Sequence, residues 1–140
     1  MYEIVINHLL CSATAARYGI CNRPSAERAV EVMDNLKELV LMLNFIQRDL
    51  RRKVVVTSGY RSEELNKVVG GVPNSQHVKG QAVDFYVEGM TAKQVAAYVK
   101  QFYPYDQLIV YNNKARGKGG LIHLSYVKGG HNRKQYMSIG

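Results

Sequence analysis

The sequence has no tryptophan, only two cysteines and three prolines among its 140 residues, and no long apolar run. No stretch approaches the roughly 20 consecutive apolar residues of a membrane-spanning helix, so a transmembrane protein is not expected. The cysteines, Cys11 and Cys21, lack the paired spacing of a zinc knuckle. Nothing marks the chain as secreted, and we therefore expect two reduced, partly buried thiols instead of a disulfide.

The N-terminus also lacks the features of a signal peptide. It begins Met1-Tyr2-Glu3, with an acid where a signal has a basic segment. The apolar run Ile4-Val5-Ile6 that follows is too short for the hydrophobic region of a signal. We expect the chain to accumulate in the cytoplasm.

Length and composition favour one compact unit. A chain of 140 residues with 46% hydrophobic content can bury roughly two-thirds of its unfolded surface, which is enough for one core without disulfides. The sequence has no internal repeat and no low-complexity tract, and a second domain would not fit. We therefore expect a single domain over residues 1–140, and a monomer.

The chain is basic, with a formal net charge of +8. One cationic cluster, Arg48–Lys53, closes a predicted helix, where positive charge complements the carbonyl end of the helix dipole. The other, Lys114–Gly120, is a Gly-rich segment that could attract any polyanion. No DNA-binding or RNA-binding motif accompanies it, so nucleic-acid binding is kept only as a third hypothesis.

Hydrophobic periodicity predicts the helices. Six apolar residues at steps of three and four predict an amphipathic helix over residues 26–51 with Ser25 as its N-cap: Val32, Leu36, Leu39, Leu43, Ile46 and Leu50. Ser62–Val69 is a second predicted helix, capped by Ser62. Thr91–Phe102 is a third, opened by a capping box of Thr91 and Gln94.

Alternating and β-branched segments predict five strands, at Lys53–Thr57, Gln81–Val87, Gln107–Tyr111, Leu121–Tyr126 and Arg133–Ile139. Gly-rich connections between several of them indicate hairpins. The predicted class is α+β, with a mainly antiparallel sheet and helices packed on one side.

Three residues have the side-chain types of a metal site. His77 follows a Gly-rich loop, Asp84 lies on a predicted strand, and His123 lies in an apolar run. Two imidazoles and one carboxylate can bind Zn²⁺ and leave a fourth position for water, as a hydrolase requires. The alternative readings are an Asp84 paired with a basic side chain and a His123 that is hydrogen-bonded in the core.

The stretch Ser75–Asp84 fits the pattern Ser-x-His-x-x-Gly-x-Ala-x-Asp at every specified position. In this it resembles the M15 zinc peptidases, the group of D-alanyl-D-alanine carboxypeptidases and phage endolysins. Thr57–Ser62 is similar to the Ser-Gly-Tyr-Arg-Ser segment of that family, and Ile122–Ser125 is similar to its last ligand strand. Further similarities, at Ser12–Ala16 and Asp106–Ile109, indicate a compact subgroup common in phages and bacteria.

The resemblance implies a Hedgehog/DD-peptidase-like fold and a Zn²⁺ cofactor held by His77, Asp84 and His123. It implies that Arg61 and Ser75 bind the substrate, a peptidoglycan stem peptide cut by carboxypeptidase or endopeptidase action. Such an enzyme would reach the cell wall after lysis or by a separate export route. The residues alone leave two other readings open, a surface ion pair of Arg61 with Glu63 or Glu64 and a turn role for Ser75.

The chain departs from the family where a general base is expected. Many relatives have an acid three positions before the last histidine, where this chain has Gly120, and the compact subgroup often has a glutamate where this chain has Tyr111. Asp106 and Tyr111 are the remaining catalytic candidates, although Asp106 also fits a turn residue at the start of a strand. The alternative function is a non-catalytic, zinc-containing peptidoglycan-binding module.

Overall fold

The computed structural model describes residues 2–112 and 119–140. Its elements, in chain order, are α1 (Ile6–Leu10), α2 (Ala13–Tyr18), α3 (Ala26–Leu50), β1 (Val54–Ser58), α4 (Glu63–Val68), β2 (Ala82–Val87), α5 (Ala92–Phe102), β3 (Gln107–Tyr111), β4 (Leu121–Ser125) and β5 (Gln135–Ile139). The predicted α+β class is confirmed. No helix of the described residues has the length and hydrophobicity needed to cross a bilayer.

The five strands form one sheet in the order β1-β2-β4-β3-β5. The pairs β1–β2, β2–β4 and β3–β4 are antiparallel, which agrees with the predicted mainly antiparallel sheet, whereas β3 and β5 are parallel. Strand β4 therefore lies between β2 and β3, although it follows both in sequence. This insertion brings the His123 strand beside the Asp84 strand.

Helix α3 forms where the apolar stripe predicts it. Its inward residues from Val32 to Ile46 are almost fully buried, and only Leu50, at the end of the stripe, is half-buried. The helix stops at Arg51, which has a left-handed backbone with φ of 54°. Ser25 occupies the N-cap, but its side chain makes no capping hydrogen bond.

Two of the predicted helix caps are present as hydrogen bonds. The Ser62 hydroxyl accepts from the Leu65 amide at 3.1 Å and starts α4. Thr91 and Gln94 exchange bonds of 3.2 and 2.9 Å at the start of α5, which makes the predicted capping box. Each cap satisfies backbone N–H groups that a helix leaves without an internal partner.

The two faces of the sheet have different roles. Val83, Phe85 and Val87 point from β2 into the core, which the inward faces of α3 and α5 complete. Asp84 alternates with them and projects from the opposite face. The helices thus bury one face, and the other carries the polar residues of the site.

Two features shape the approach to β2. Gly80 has a φ of +75°, and a Cβ there would come within 2.8 Å of the Val32 carbonyl on α3. Only glycine allows the loop before β2 to lie this close to the helix. In β1, the register with β2 shifts between Val56 and Ser58, a bulge that brings Ser58 opposite Asp84.

The cysteines differ in one respect from the sequence prediction. Both cysteines are free, as predicted, but they are exposed and not partly buried. The reason is their position, because Cys11 directly follows α1 and Cys21 lies in the connection between α2 and α3, both outside the core. The lysine and arginine side chains of the Lys114–Gly120 segment lie outside the described residues.

Candidate metal centre

Two of the three predicted ligands meet across neighbouring strands. Asp84 on β2 and His123 on β4 are register partners, so their side chains lie side by side on the open face. His123 Nδ1 is 2.9 Å from Asp84 Oδ1. His77, from the loop before β2, places its Nε2 3.3 Å from Asp84 Oδ2. The potential ligand atoms of the three residues all lie within 4.8 Å of one another.

A backbone carbonyl fixes the orientation of His77. Its Nδ1 is 2.7 Å from the carbonyl oxygen of Gly59, which can only accept, so Nδ1 carries a proton and donates. In the neutral ring the lone pair of Nε2 then faces a carboxylate oxygen of Asp84. Two such electron pairs at 3.3 Å need a cation between them, either a proton on Nε2 or a metal ion.

The donor set fits zinc. Ligands at 2.0 to 2.2 Å from a tetrahedral ion lie about 3.3 to 3.6 Å apart. The His77–Asp84 separation of 3.3 Å matches this range, whereas His123 and Asp84, at 2.9 Å, are at hydrogen-bond distance. The His77–Gly59 bond is the kind of outer contact that orients metal-binding imidazoles. Two nitrogens and one oxygen also match the ligands of catalytic zinc sites that keep an open position.

Asp84 is held in its ionised form. Burial acts to raise the pKa of this carboxyl, but hydrogen bonds from His123 and His77 outweigh burial and hold the pKa well below its usual range. A carboxylate must be deprotonated to bind a metal. Asp84 therefore meets that condition at all physiological pH values.

Arg61 lies beside this group and not on the surface. Its Nη2 is 3.7 Å from Asp84 Oδ2, its Nη1 donates to Asn66 at 3.2 Å, and its side chain is only 18% exposed. Burial lowers the pKa of its guanidinium, and the negative charge of Asp84 opposes that shift. Glu63, a partner considered from the sequence, pairs instead with Arg28.

Ser75 is buried next to His77. Its hydroxyl accepts from the His77 amide at 3.2 Å, the local turn contact considered as one reading of the sequence. The residue also lines the same cavity as Arg61, so the turn contact and an approach to a bound molecule are compatible.

The three candidate ligands line a cavity of about 530 Å³. Its walls come from the loop before β2 and from the open faces of β2, β4 and β3, and they include Tyr111. Among the described residues, Asp84 is the only carboxylate in these walls.

A family model described as Peptidase M15 matches residues 2–117. The chain belongs to the M15 peptidase family. The family is one of metallopeptidases, and His77, Asp84 and His123 form a group of side chains that could bind a metal ion. The match includes His77 and Asp84 and ends before His123, which strand pairing brings to Asp84. No curated protein sequence matches the chain.

Gly120 occupies the first position where the resemblance predicts an acid. Its φ is +89°, and a Cβ at this position would come within 2.7 Å of the Tyr111 carbonyl and 3.0 Å of the Ala92 side chain. A carboxylic acid cannot occupy this position unless the backbone between β3 and β4 changes. The backbone conformation of this M15 chain at position 120 therefore requires glycine and excludes an acid.

Tyr111 occupies the second position where an acid is expected. It lines the cavity from β3, and burial raises the pKa of its phenol, with Asp84 adding to the shift and Arg61 opposing it. The phenol is therefore neutral at physiological pH and carries a proton. It can donate a hydrogen bond, and it is a poor base.

Asp106 is held by other side chains. Its carboxylate accepts from the Arg133 amide at 2.8 Å, from the Arg133 guanidinium at 2.7 and 3.1 Å, and from Gln76 at 3.1 Å. It is 3% exposed, and its backbone pairs with Ser125 and Gln135. Hydrogen bonds from Arg133 lower its pKa, in spite of burial. These contacts favour the turn role over proton transfer.

Proposed function

We propose that this chain is a zinc-dependent metallopeptidase that hydrolyses peptidoglycan stem peptides, as a carboxypeptidase or as an endopeptidase. The convergence of His77, Asp84 and His123 on the open sheet face is the observation that supports it most strongly. These three side chains would hold the ion. Zinc, when bound, would supply the Lewis acidity that activates water and polarises a peptide carbonyl.

Arg61 and Ser75 would bind the substrate. The Arg61 guanidinium is charged, planar and positioned beside Asp84, so it suits a substrate carboxylate or the developing oxyanion. The Ser75 hydroxyl lines the same cavity and orients the loop that carries His77. The neutral phenol of Tyr111, which lines the same cavity, would donate a hydrogen bond to the oxyanion.

The described part of the cavity wall has no carboxylate that is available as a general base for proton transfer. In the described part of the wall Asp84 is the only carboxylate, and as a metal ligand it is not free to act as a general base. The missing base supports a second candidate function, a non-catalytic zinc-containing module that binds peptidoglycan. Gly120 and Tyr111, at the positions where relatives carry acids, favour this alternative.

The site of action follows from the proposed substrate. Peptidoglycan lies outside the cytoplasm, so the protein would reach it after lysis or through a separate export route. A phage or prophage role in cell-wall degradation fits this arrangement.

Hydrolysis of purified sacculi and synthetic stem peptides tests the proposal. The zinc-loaded protein is expected to release peptide fragments, and His123→Ala is expected to abolish release because it removes one ligand. His131→Ala is the matched control, since His131 is an exposed histidine outside the proposed ligand set. Release by the His123 variant at the wild-type rate would refute the proposed zinc-dependent reaction.

A pull-down on sacculi separates the two candidate functions. An enzyme is expected to release fragments and leave the sacculus. A binding module would stay on intact sacculi without releasing any peptide. Wild-type protein that binds zinc and sacculi but cleaves neither sacculi nor stem peptides would favour the module.

A further inference from the structure

Arg133 is a cation of the cavity wall that the proposed reaction does not use. It lies just before β5, and its side chain lines the same cavity as Arg61. Its side chain is 54% exposed, although the guanidinium bonds to Asp106 at 2.7 to 3.1 Å. The contact to Asp106 uses Nε and Nη2, so Nη1 donates to no side chain of the described residues.

The buried carboxylate of Asp106 holds this guanidinium in place. Asp106 is itself fixed, because its amide donates to Ser125 at 2.8 Å and its carbonyl accepts from Gln135 at 3.0 Å. The same carboxylate accepts from Gln76, which is adjacent to His77 in the loop before β2. Arg133 is thus connected to the loop that carries a proposed zinc ligand. A planar guanidinium anchored on one edge loses little further freedom when its other edge binds an anion.

The charge around the cavity favours a ligand with more than one anionic group. Two guanidiniums of the described wall, Arg61 and Arg133, are balanced by the carboxylates of Asp84 and Asp106. A divalent metal ion held by Asp84 and the histidines would then give the site a net positive charge. The 34 residues that follow Asp106 contain six of the chain's 19 lysines and arginines and none of its 11 acids. Three of these six, Lys128, Arg133 and Lys134, lie among the described residues, in the part of the chain that supplies β4 and β5.

We propose that Arg133 is a specificity-determining residue that binds a second carboxylate of the substrate, away from the bond that is cut. The inference rests on the proposed function and narrows its substrate class to acidic peptides. Arg61 would take the anionic group next to the metal, and Arg133 a carboxylate further along the peptide. A stem peptide with a free carboxylate on its γ-linked glutamyl residue has this chemistry, and the carboxamide form of that residue lacks it.

The competing explanation is that Arg133 only stabilises the fold through Asp106. A structural role predicts the same loss for every substrate, because the ligand never touches the guanidinium. A recognition role predicts a loss only for substrates that carry the second carboxylate. The comparison of two substrates therefore separates the explanations even if the variant is less stable.

The experiment uses zinc-loaded wild-type protein, Arg133→Gln and Arg133→Lys, each with two synthetic stem peptides that differ only in carboxylate or carboxamide at the glutamyl residue. Dissociation constants come from calorimetry, and kcat/KM comes from hydrolysis. Wild type is expected to prefer the carboxylate peptide by about tenfold, the effect of one hydrogen bond to a charged group. Arg133→Gln is expected to lose that preference, and Arg133→Lys to keep part of it.

Lys134→Gln is the matched control, because it removes one positive charge from the adjacent exposed residue. It is expected to keep the wild-type preference. Equal weakening of both peptides in Arg133→Gln, or a wild type that does not distinguish them, would overturn the inference. If Arg133→Gln does not fold, the inference is tested by comparing the wild type with Arg133→Lys. A preference for the carboxylate peptide that is smaller in Arg133→Lys supports it, and an equal preference overturns it.

Failure of this inference differs from failure of the proposed function. Hydrolysis of both peptides at one rate would leave the peptidase proposal intact and remove the role of Arg133. Preferential binding of the carboxylate peptide without hydrolysis would support the role of Arg133 and contradict catalysis. Absence of binding to either peptide would overturn both.

Discussion

Substitution of Gly120 tests why this chain has no acid three residues before His123. A Cβ at Gly120 would approach the Tyr111 carbonyl to 2.7 Å, and the β3–β4 pairing prevents that carbonyl from moving away. The positive φ costs a non-glycine residue about 1 to 2 kcal/mol, and the overpacking adds about 1 to 3 kcal/mol. Gly120→Ala is therefore expected to lower the free energy of unfolding by about 2 to 5 kcal/mol.

Gly129 provides the control for this prediction. It also has a positive φ, of +70°, but a Cβ there would meet no atom within 4 Å. Gly129→Ala is expected to cost only the backbone contribution of about 1 to 2 kcal/mol. Urea denaturation measures both values, and the dependence of the unfolding free energy on urea concentration is expected to be the same in the two variants. Equal losses in the two variants would show that the contact with Tyr111 does not exclude a side chain at position 120.

Three further predictions concern catalysis, pH and the thiols. Tyr111→Glu is expected to hydrolyse stem peptides at least about 10²-fold faster than Tyr111→Gln, because it supplies a carboxylate base; equal rates would show that the base is not limiting. The lowered pKa of Asp106 means that its stabilising effect is present above its unfolded pKa of about 3.9 and is lost as the pH falls through the folded value. The stability difference between wild type and Asp106→Asn, measured by urea denaturation, should therefore shrink below about pH 4, and a constant difference would contradict the ion pair. Both Cys11 and Cys21 should react with a thiol reagent in the folded protein, since both are exposed; protection of either would contradict the structure.

Local patterns predict most of the elements of this fold. The spacing from Val32 to Ile46 predicts the long helix and its buried face, and the Thr91–Gln94 box predicts where α5 begins. Alternation along β2 predicts that Asp84 lies on the other face of the sheet from the core residues Val83 and Phe85. These features depend on neighbours within a few residues, so the sequence alone specifies them.

Long-range pairing was not predictable in the same way. No local pattern indicates that β4 inserts between β2 and β3, or that β5 runs parallel to β3. The acceptor for His77 is the backbone oxygen of Gly59, and a backbone acceptor cannot be recognised from the residue type. The contact of Asp106 with Arg133 joins side chains 27 positions apart. The side-chain types and the family pattern predicted the candidate ligands. The contacts that orient these ligands could be identified only from the tertiary structure.

Zinc content measured on the purified protein tests the central claim most directly. After zinc loading and dialysis, elemental analysis is expected to find about one zinc per chain in the wild type and in His8→Ala, and almost none in His77→Ala or Asp84→Asn. His8 serves as the control because its Nδ1 accepts from the Val5 amide at the start of α1, outside the proposed ligand set. A wild type that retains no zinc, or ligand variants that retain as much as the wild type, would contradict the proposed metal centre.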